Sequence, residues 1–334
     1  MKAVVYDKYG PPEVLQLTEL AKPSPKDNEI LIRVHATSVT TGDVNARDFV
    51  FAPPGLKPVG RLMLGYNKPK KRVLGTEFSG QVEAVGNSVL EFKAGDEVYG
   101  MPGTVFGSYA DYICLPEDGV VTQKPVNMTY EQAAAVPFGA HTALYFLRDK
   151  ARVQAGQSVL ILGASGGVGS YAVQLAKAFG ATVTGVCSTR NLERVKEIGA
   201  DRVIDYTKVD FTQEGKRYDF IMDVVGKSSF EKVKSSLESK GKYLAVAGGL
   251  KEFGQMLTTS LFSSKKVLAG QAVERKEDLV FLRELIEAGK LTALIDRCYS
   301  LEQIVEAHRY VDTGHKQGNV VIRVAEKEAG NLDG

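Results

Sequence analysis

The pattern of apolar and polar positions changes near residue 125. Before that point, short runs of β-forming residues lie between turn residues, as in Glu29 to Thr37 and Phe78 to Val85. After it, apolar runs alternate with segments of helical spacing, such as Val168 to Phe179. The first pattern is typical of an all-β domain and the second of a doubly wound α/β domain. From Val159 onwards we count six candidate strands, the number that a dinucleotide-binding sheet needs.

A glycine-rich turn opens the α/β part. The stretch SVLILGASGGVGSYAVQLAKAFG predicts a buried strand, a sharp turn and an amphipathic helix that ends at Gly180. The free N–H groups and the positive dipole end of such a helix attract anions. A second strand follows at Thr182 to Cys187, so the unit closes as a βαβ motif that suits a dinucleotide. We expect a pyrophosphate to lie against Ser165, Gly166, Gly167 and Val168.

The residues after the second strand indicate which dinucleotide binds. NAD-binding chains usually carry an acidic residue there, about 20 residues past the glycines, to accept hydrogen bonds from the ribose 2′-hydroxyl. This chain has Ser188, Thr189 and Arg190 instead. Hydroxyls and a guanidinium offer donors and positive charge to a 2′-phosphate. We therefore expect NADPH as the cofactor. The alternative is a polar connection in which Arg190 is solvated.

These stretches, ASGGVG followed by VCSTRN and then VIDY, resemble the zinc-free quinone oxidoreductase branch of the medium-chain dehydrogenase/reductase superfamily. The resemblance extends from MKAVVYDKYG through GTEFSG and FKAGDEVYG to GNVVIRV. Ala164 stands where alcohol dehydrogenase members have the first glycine, as is normal for the quinone branch. The resemblance implies a barrel-like catalytic domain (residues 1–123 and 290–334), a Rossmann cofactor domain (residues 124–289) and a cofactor cleft between them.

The resemblance also implies further cofactor contacts. They are Thr142 near the nicotinamide, Val225, Ala247 and Gly248 at its ribose, Tyr206 with Ser188 and Arg190 at the adenosine phosphate, and Asn319 from the last strand. Three of these have a structural alternative. Thr142 fits a helix-start hydroxyl, Tyr206 a strand cap and Asn319 a turn residue.

Zinc-dependent relatives hold a catalytic metal through an early cysteine and through a histidine that precedes a glutamate. The matching positions here are Thr40 or Thr41, and Thr76 in GTEFSG. Threonine hydroxyls are poor zinc ligands beside thiolate and imidazole. The four-cysteine lobe of those relatives is also missing, because no cysteine lies between Glu91 and Ile113. We predict that the protein contains no zinc.

Without a metal, the enzyme lacks a strong Lewis acid to activate an alcohol. We expect hydride transfer to an acceptor that is already electron-poor, either a quinone or an α,β-unsaturated ketone or aldehyde, because such acceptors spread the charge onto their own oxygen. The resemblance places Thr40 and Asn45 in the substrate pocket. Tyr66, in the proline-rich loop from Phe51 to Arg72, is a candidate hydrogen-bond donor to the enolate, with a packed loop tyrosine as the alternative.

Two other functions stay open. An enoyl thioester reductase is one, and there the basic run from Lys68 to Arg72 would meet the phosphates of a carrier. The other is a non-catalytic NADPH-binding, redox-sensing protein, which the unusual pocket residues Thr40 and Asn45 favour slightly.

The composition of the chain limits the kinds of partner that the protein can have. A net charge of +2 over 334 residues, with no basic face, argues against nucleic-acid binding. No apolar stretch approaches the ~20 residues of a spanning helix, and we see no secretory signal before Asp7. The basic run from Lys68 to Arg72 fits a solvated loop, with weak membrane docking as the alternative.

The cysteines and one late strand suggest a compartment and an assembly. Cys114, Cys187 and Cys298 are far apart in the chain, which suits free thiols in a reducing cytoplasm. We also expect a homodimer in which the segment from Lys265 to Val273 pairs with its twin to extend the sheet.

Overall fold

The structure is a computed structural model that describes residues 1–50, 65 and 68–325. The chain forms two compact units. The first comprises Met1–Phe138, Glu274–Glu287 and Ile295–Gly334, and the second comprises Gly139–Val273 and Ala288–Leu294. The predicted residues Tyr66 and most of the loop from Phe51 to Arg72 lie outside the described residues.

The strands range from three residues in β7 to eleven in β3. They are β1 (Lys2–Val5), β2 (Gln16–Glu19), β3 (Glu29–Val39), β4 (Phe78–Val85), β5 (Glu97–Gly100), β6 (Tyr112–Pro116), β7 (Val121–Gln123), β8 (Ser158–Leu162), β9 (Thr182–Cys187), β10 (Arg202–Asp205), β11 (Tyr218–Asp223), β12 (Leu237–Ala245), β13 (Lys266–Ala269), β14 (Ile295–Ser300) and β15 (Asn319–Arg323).

The helices lie mainly in the second half of the chain. They are α1 (Thr41–Asp48), α2 (Tyr130–Ala134), α3 (Pro137–Leu144), α4 (Gly167–Ala178), α5 (Leu192–Glu197), α6 (Phe230–Val233), α7 (Leu250–Phe262), α8 (Lys276–Glu287) and α9 (Ile304–Asp312). A π-helix, Tyr145–Ala151, continues α3. No helix in the described ranges is both long and apolar enough to cross a membrane.

The first unit is built on a sheet of order β14-β15-β3-β4-β5-β7, in which β6 also pairs with β3. Strand β3 is the longest and pairs with β4, β6 and β15. Its alternate residues Ile30, Ile32 and Val34 are buried with Phe78 and Val98 in one core. This alternation is what a strand with one buried face requires.

The second unit is a six-stranded parallel sheet of order β10-β9-β8-β11-β12-β13. Its central strands are apolar, with Leu160, Ile221 and Tyr243 in the same buried core. In this doubly wound order the carboxyl ends of all six strands meet at one edge, where ligands bind. The predicted α/β fold class with a Rossmann sheet is confirmed.

Several elements of the structure differ from the sequence analysis, and β13 and α1 are two of them. Strand β13 covers only Lys266–Ala269 of the predicted segment from Lys265 to Val273. Helix α1 was not predicted, because its sequence TGDVNARD is mostly polar and shows little helical periodicity. The capping pair Thr40 and Asp43 is the signal that could have revealed α1.

Candidate functional site

The glycine turn between β8 and α4 is shaped by close backbone contacts. Gly163 has a φ of +81°, which favours glycine. A Cβ on Gly169 would lie 2.1 Å from the carbonyl oxygen of Gly163, so only glycine lets the helix pack this closely against the strand end. A Cβ on Gly166 would meet only that oxygen, at 3.5 Å, so the space in front of this residue is open.

The start of α4 fits an anionic group. Gly166 is the N-cap residue, and no side chain caps the helix. The N–H groups of the first turn of a helix have no acceptor within the helix, so they are available to a ligand along with the positive dipole end. Ser165, Gly166, Gly167 and Val168 all lie at this position. The turn therefore fits the pyrophosphate of a dinucleotide.

Asn191, which the sequence analysis missed, hydrogen-bonds to two predicted site residues, Ser165 and Ser188. The Asn191 amide nitrogen donates to Ser165 Oγ and to Ser188 Oγ, at 3.1 Å in both cases. Asn191 is buried, and its Oδ1 has no hydrogen-bond partner. The amide nitrogen therefore ties the end of β9 to the glycine turn. Its position three residues after Ser188 was the available signal.

The other residues after β9 and β10 lie beside this cluster. Thr189 Oγ1 donates to the Asp205 carboxylate at 2.5 Å, so its proton is engaged within the protein. Thr207 Oγ1 also donates to Asp205, at 2.7 Å. Arg190 is exposed and Tyr206 is 60% exposed. The Tyr206 N–H donates to the carbonyl of Cys187, which fixes Tyr206 next to the end of β9.

Asp223 positions the loop after β11. Its buried carboxylate accepts from the N–H groups of Val225 (3.0 Å), Gly226 (2.8 Å) and Ser228 (2.9 Å), and from the Tyr243 hydroxyl (3.0 Å). This ring of donors holds Val225 against the glycine turn, where a Cβ on Gly163 would come within 2.7 Å of Val225 Cγ1.

The remaining predicted cofactor residues of the second unit lie at the same edge of the sheet. Ala247 and Gly248 follow β12, and a Cβ on Gly226 would lie 3.1 Å from the Ala247 side chain. Thr142 is in α3, one turn after Gly139, whose Cβ would lie 2.8 Å from the Gly167 carbonyl. The structure thus brings Val225 to the glycine turn and Ala247 to the loop that contains Val225.

The first unit holds a buried cluster of two hydroxyls and a carboxylate, which includes Thr40 and Thr76 from the predicted site. Thr40 Oγ1 and Thr76 Oγ1 lie 2.9 Å apart. They also lie 2.7 Å and 3.0 Å from Asp43 Oδ2. Two protons serve these three contacts, so two of them are hydrogen bonds at any time. Asp43 also accepts from the N–H groups of Thr40 (2.9 Å) and Gly75 (3.0 Å).

Antiparallel pairing of β3 with β4 creates this cluster. The register pairs Thr37 with Phe78, so the end of β3 and the approach to β4 run side by side. Thr40 then caps α1 in a reciprocal capping box with Asp43. Asp43 is fully buried, and this burial raises the pKa of its carboxyl above the usual value.

The cluster does not fit zinc. Zinc sites in proteins use thiolate, imidazole and carboxylate ligands, and here the two matching side chains are hydroxyls already bound to Asp43. Across the described residues, no group of three His, Cys, Asp or Glu side chains could hold a metal ion. The absence of zinc stays a prediction.

Glu77 is the second buried carboxyl in this region. It accepts from the Ser38 hydroxyl and from the Phe138 N–H, the latter at 2.7 Å. Burial is the main cause that raises the pKa of Glu77 from 4.5 to about 7, and the nearby Asp43 carboxylate adds to it. Glu77 therefore changes protonation near neutral pH while holding the first turn of α3.

A buried chain of hydrogen bonds ties α1 to α9. Arg47 Nη1 donates to His308 Nδ1 at 3.0 Å, so His308 Nε2 carries the proton and donates to the Tyr109 hydroxyl at 3.1 Å. Tyr109 in turn donates to the Ser38 carbonyl. Burial beside Arg47 lowers the pKa of His308 to about 3, so the imidazole stays neutral. This chain fixes α1, and with it Thr40 and Asn45.

The other predicted residues of this unit are further apart. Asn45 is half-buried in α1, and Asn319 is buried at the start of β15. The roles of all predicted site residues stay predictions. The residues that the sequence analysis missed as site residues are Asp43, Glu77, Asn191 and Asp223, and each is a polar residue at the end of a strand or at a helix start.

Two family models match the chain. An alcohol dehydrogenase GroES-like domain matches residues 26–125, and a zinc-binding dehydrogenase domain matches residues 198–322. Together they cover parts of both units. The second description names a metal, whereas the sequence analysis expects threonines at the ligand positions, namely Thr40 or Thr41, and Thr76.

Individual relatives cover nearly the whole chain. The 2-methylene-furan-3-one reductase of Solanum lycopersicum is 34% identical over 96% of this chain and 79% of its own. The chloroplastic NADPH-dependent alkenal/one oxidoreductase of Arabidopsis thaliana is 32% identical over the same shares. Among solved structures, the quinone oxidoreductase from Coxiella burnetii has a TM-score of 0.84 at 32% identity and covers 97% of this chain and 99% of its own.

These similarities confirm the predicted class of protein, an oxidoreductase that uses a nicotinamide cofactor. They agree with the fold, since the parallel sheet has the Rossmann order and carries a glycine turn at its centre. The chain belongs to the quinone oxidoreductase branch of the medium-chain dehydrogenase/reductase superfamily.

Proposed function

We propose that this protein is an NADPH-dependent reductase of quinones or of α,β-unsaturated carbonyl compounds that works without zinc. The observation that carries the proposal is the cluster of Thr40, Thr76 and Asp43. Thr40 and Thr76 are among the residues that we match to the metal ligands of a zinc dehydrogenase, and their hydroxyls contact each other and a buried carboxylate. Nothing in this cluster would make an alcohol acidic, as a metal does.

The chemistry follows from the residues that remain. A bound nicotinamide would supply a hydride, and the acceptor must then carry negative charge on its own oxygen. Quinones and enones do so by conjugation, so hydrogen bonds are enough to stabilise the developing oxyanion. In the proposal, Thr40 and Asn45 line the acceptor site, and the chain orients the acceptor and excludes water. The physiological acceptor and the proton donor are not assigned.

The relatives support this choice of acceptor by their names. One is named for a reductase of a methylene furanone, one for alkenal and enone reduction, and one for quinones. All three name conjugated small molecules. In the same proposal, residues 1–123 and 290–334 form the catalytic domain and residues 124–289 bind the cofactor.

The test is a turnover panel with purified protein. NADPH oxidation is followed with a quinone, an enone, an enal and an enoyl thioester, and NADP reduction with primary and secondary alcohols. We expect a quinone or an enone to be turned over fastest. Faster turnover of an alcohol than of any conjugated acceptor would contradict the proposal. NADPH binding without turnover of any acceptor would favour the non-catalytic alternative.

We further propose that NADPH is preferred over NADH, with Arg190 as a principal cause. Arg190 is exposed two residues after Ser188, just past the end of β9, where the proposal puts the 2′-phosphate of the cofactor. A charge-assisted hydrogen bond contributes about 1.5–3 kcal/mol, so Arg190→Ala should lower kcat/KM for NADPH roughly ten- to a hundredfold. NADH should change little.

The matched control is Lys196→Ala, which removes another exposed positive charge from the neighbouring helix α5. It should leave the ratio of NADPH to NADH unchanged. If Arg190→Ala shifts that ratio by no more than Lys196→Ala does, Arg190 is a solvated residue and the NADPH assignment loses its main support.

The proposal also covers the cellular compartment, the substrate class and the assembly of the protein. The three cysteines are free, which fits a reducing compartment, and we propose the cytoplasm. We propose a small-molecule acceptor as the substrate and a homodimer as the assembly.

A further inference from the structure

The turn that precedes β15 approaches the proposed acceptor site. Strand β15 begins at Asn319, and Val320 pairs with Val39 at the end of β3. Because the two strands are antiparallel, the residues just before Val320 run alongside those just after Val39, and the first of these is Thr40. Lys316 lies in this turn, three residues before Asn319. Its long side chain is therefore within reach of the cluster that contains Thr40.

Two hydrogen bonds to one carboxylate hold this turn in place. The Gln317 N–H donates to Asp296 Oδ2 at 2.8 Å, and the Tyr310 hydroxyl donates to the same oxygen at 2.7 Å. Asp296 belongs to β14 and Tyr310 to α9. Gly318 has a φ of +109°, which favours glycine and lets the chain turn into β15. The backbone beside Lys316 is thus fixed by its neighbouring strand and helix.

Lys316 is a half-buried cation among carboxylates. Burial lowers the pKa of its ammonium group below the usual value for lysine. The charges of Glu77, Asp43 and Asp296 act in the opposite direction, which places these three carboxyls around the ammonium group. Because burial has the largest effect, Lys316 gives up its proton more readily than an exposed lysine does.

None of these carboxylates contacts Lys316 directly. Within the described residues, Lys316 forms no hydrogen bond and no ion pair at contact distance. A half-buried lysine that served only to neutralise a carboxylate would normally pair with it directly. An ammonium group has three N–H donors and no acceptor. These donors are therefore available to a molecule that enters the site.

The other acidic groups nearby hold their protons or oxygens within the protein. Both oxygens of Asp43 and both oxygens of Glu77 accept hydrogen bonds from the chain. Tyr6, on which the charge of Asp43 also acts, is buried in the core of this unit, and burial raises its pKa. Tyr6 therefore holds its proton tightly. Among these groups, Lys316 is the one suited to pass a proton to an acceptor.

We propose that Lys316 is the proton donor in the reduction of an α,β-unsaturated ketone or aldehyde, and that such a compound is the acceptor of this site. The inference rests on the proposed function, in which Thr40 and Asn45 line the acceptor site. It goes beyond that function because it assigns the donor and chooses between the two classes of acceptor.

The step balances with groups that the proposed function supplies. A hydride from NADPH forms a C–H bond at the β-carbon, and the displaced electron pair passes through the conjugated system to the carbonyl oxygen. This oxygen takes a proton from Lys316 Nζ, and the resulting enol rearranges to the saturated carbonyl compound. The neutral amine of Lys316 then regains a proton from water.

The need for a donor separates enones from quinones. The anion of a hydroquinone is aromatic and is a weaker base, so water can protonate it after it leaves the protein. An enolate is a stronger base, and its formation gains more from an acid that is already in position. A lysine whose donors are open beside the acceptor site therefore favours an enone or an enal as the substrate.

The experiment compares two acceptors, the quinone and the enone that the turnover panel finds most reactive. Lys316→Met keeps most of the side-chain length without the charge. We expect kcat/KM to fall by about a hundredfold or more with the enone and by less than about tenfold with the quinone. Lys93→Met removes an exposed lysine of the same unit and should change neither value. Circular dichroism checks that both variants are folded.

The outcomes of this comparison are distinct. Equal losses with both acceptors, or no loss with either, would overturn the assignment of Lys316. A parent protein that reduces quinones but no enone would overturn it as well, because the donor would then have no substrate to serve. A parent protein that reduces neither contradicts the proposed function itself, and the inference falls with it.

A second measurement needs neither cofactor nor turnover. Para-nitrophenol is a planar acid whose coloured anion carries its charge on oxygen, so it imitates the enolate. A cation beside the bound phenol lowers the pKa of the dye. We expect this shift with the parent protein and with Lys316→Arg, which keeps the charge, and we expect its loss with Lys316→Met. An equal shift with the parent protein and with Lys316→Met would overturn the proposal.

Discussion

The two candidate sites of this chain are built in opposite ways. The glycine turn gathers its residues within one continuous stretch, where Gly163 and Gly169 touch each other. The threonine cluster joins Thr40 to Thr76 across 36 positions of sequence and depends on the pairing of β3 with β4. The function of a local site can be predicted from the spacing of its residues in the sequence. A site assembled by strand pairing can be recognised only once the fold is known.

The two sites also differ in whether their polar groups already have hydrogen-bond partners within the protein. The glycine turn leaves the backbone donors of α4 open for an anion. The cluster around Asp43 does the reverse, since this buried carboxylate accepts from two hydroxyls and two N–H groups within the protein. We therefore expect substitutions in the cluster to affect folding most and substitutions in the turn to affect ligand binding as well.

The largest effect should come from Asp43→Ala. The change leaves three donors without an acceptor in a buried place, because one threonine hydroxyl can still donate to the other. Each buried unsatisfied group costs about 1–3 kcal/mol. We expect the free energy of unfolding to fall by about 4 kcal/mol in chemical denaturation. Asp43→Asn keeps one oxygen and should cost about half as much. A loss below about 1 kcal/mol for the alanine variant would show that the cluster does not stabilise the first unit.

The next effect concerns pH and Glu77. The folded protein holds the Glu77 proton up to a pKa of about 7, whereas the unfolded chain releases it near 4.5. Between these two values the folded state binds more protons, so this group's contribution to stability falls as pH rises. Over the whole window the change is about 3 kcal/mol.

Glu77→Gln removes this dependence. Denaturation of the parent and the variant at pH 5 and at pH 8 gives two differences in the free energy of unfolding. We expect the parent to lose about 2–3 kcal/mol relative to the variant between the two pH values. Equal differences at both pH values would mean that Glu77 titrates normally in the folded protein.

Two glycines of the turn separate folding from binding. In Gly169→Ala the new methyl group would lie 2.1 Å from a backbone oxygen that cannot move aside, so we expect a loss of roughly 2–3 kcal/mol in stability. In Gly166→Ala the same distance is 3.5 Å, an ordinary contact, so stability should change by less than about 1 kcal/mol.

The Gly166 methyl group would instead occupy the space where a phosphate should bind. We expect NADPH affinity in this variant to fall by about tenfold or more, measured by fluorescence titration. Normal NADPH affinity in Gly166→Ala would show that the pyrophosphate does not lie against this residue.

The sequence predicted the parallel sheet well because its signals are local. Strand β9 has the predicted bounds, Thr182–Cys187, since it is a run of β-forming residues between turn residues. Helix α1 was not predicted because its sequence has little helical periodicity. Its contact with α9, through Arg47 and His308, stabilises it in the folded protein. Asn191 and Asp223 were not predicted as site residues because their hydrogen-bond partners are known only from the folded sheet. The roles of Thr142 and Asn319 stay predictions.

The most direct test of the account compares zinc content with activity. Protein purified without added metal is analysed for zinc, and its rate of NADPH oxidation with a quinone and an enone is measured before and after dialysis against a chelator. We predict far less than one zinc per chain and an unchanged rate, because Thr40 and Thr76 offer hydroxyls that contact Asp43 and no thiolate or imidazole. Stoichiometric zinc whose removal abolishes turnover would contradict the account.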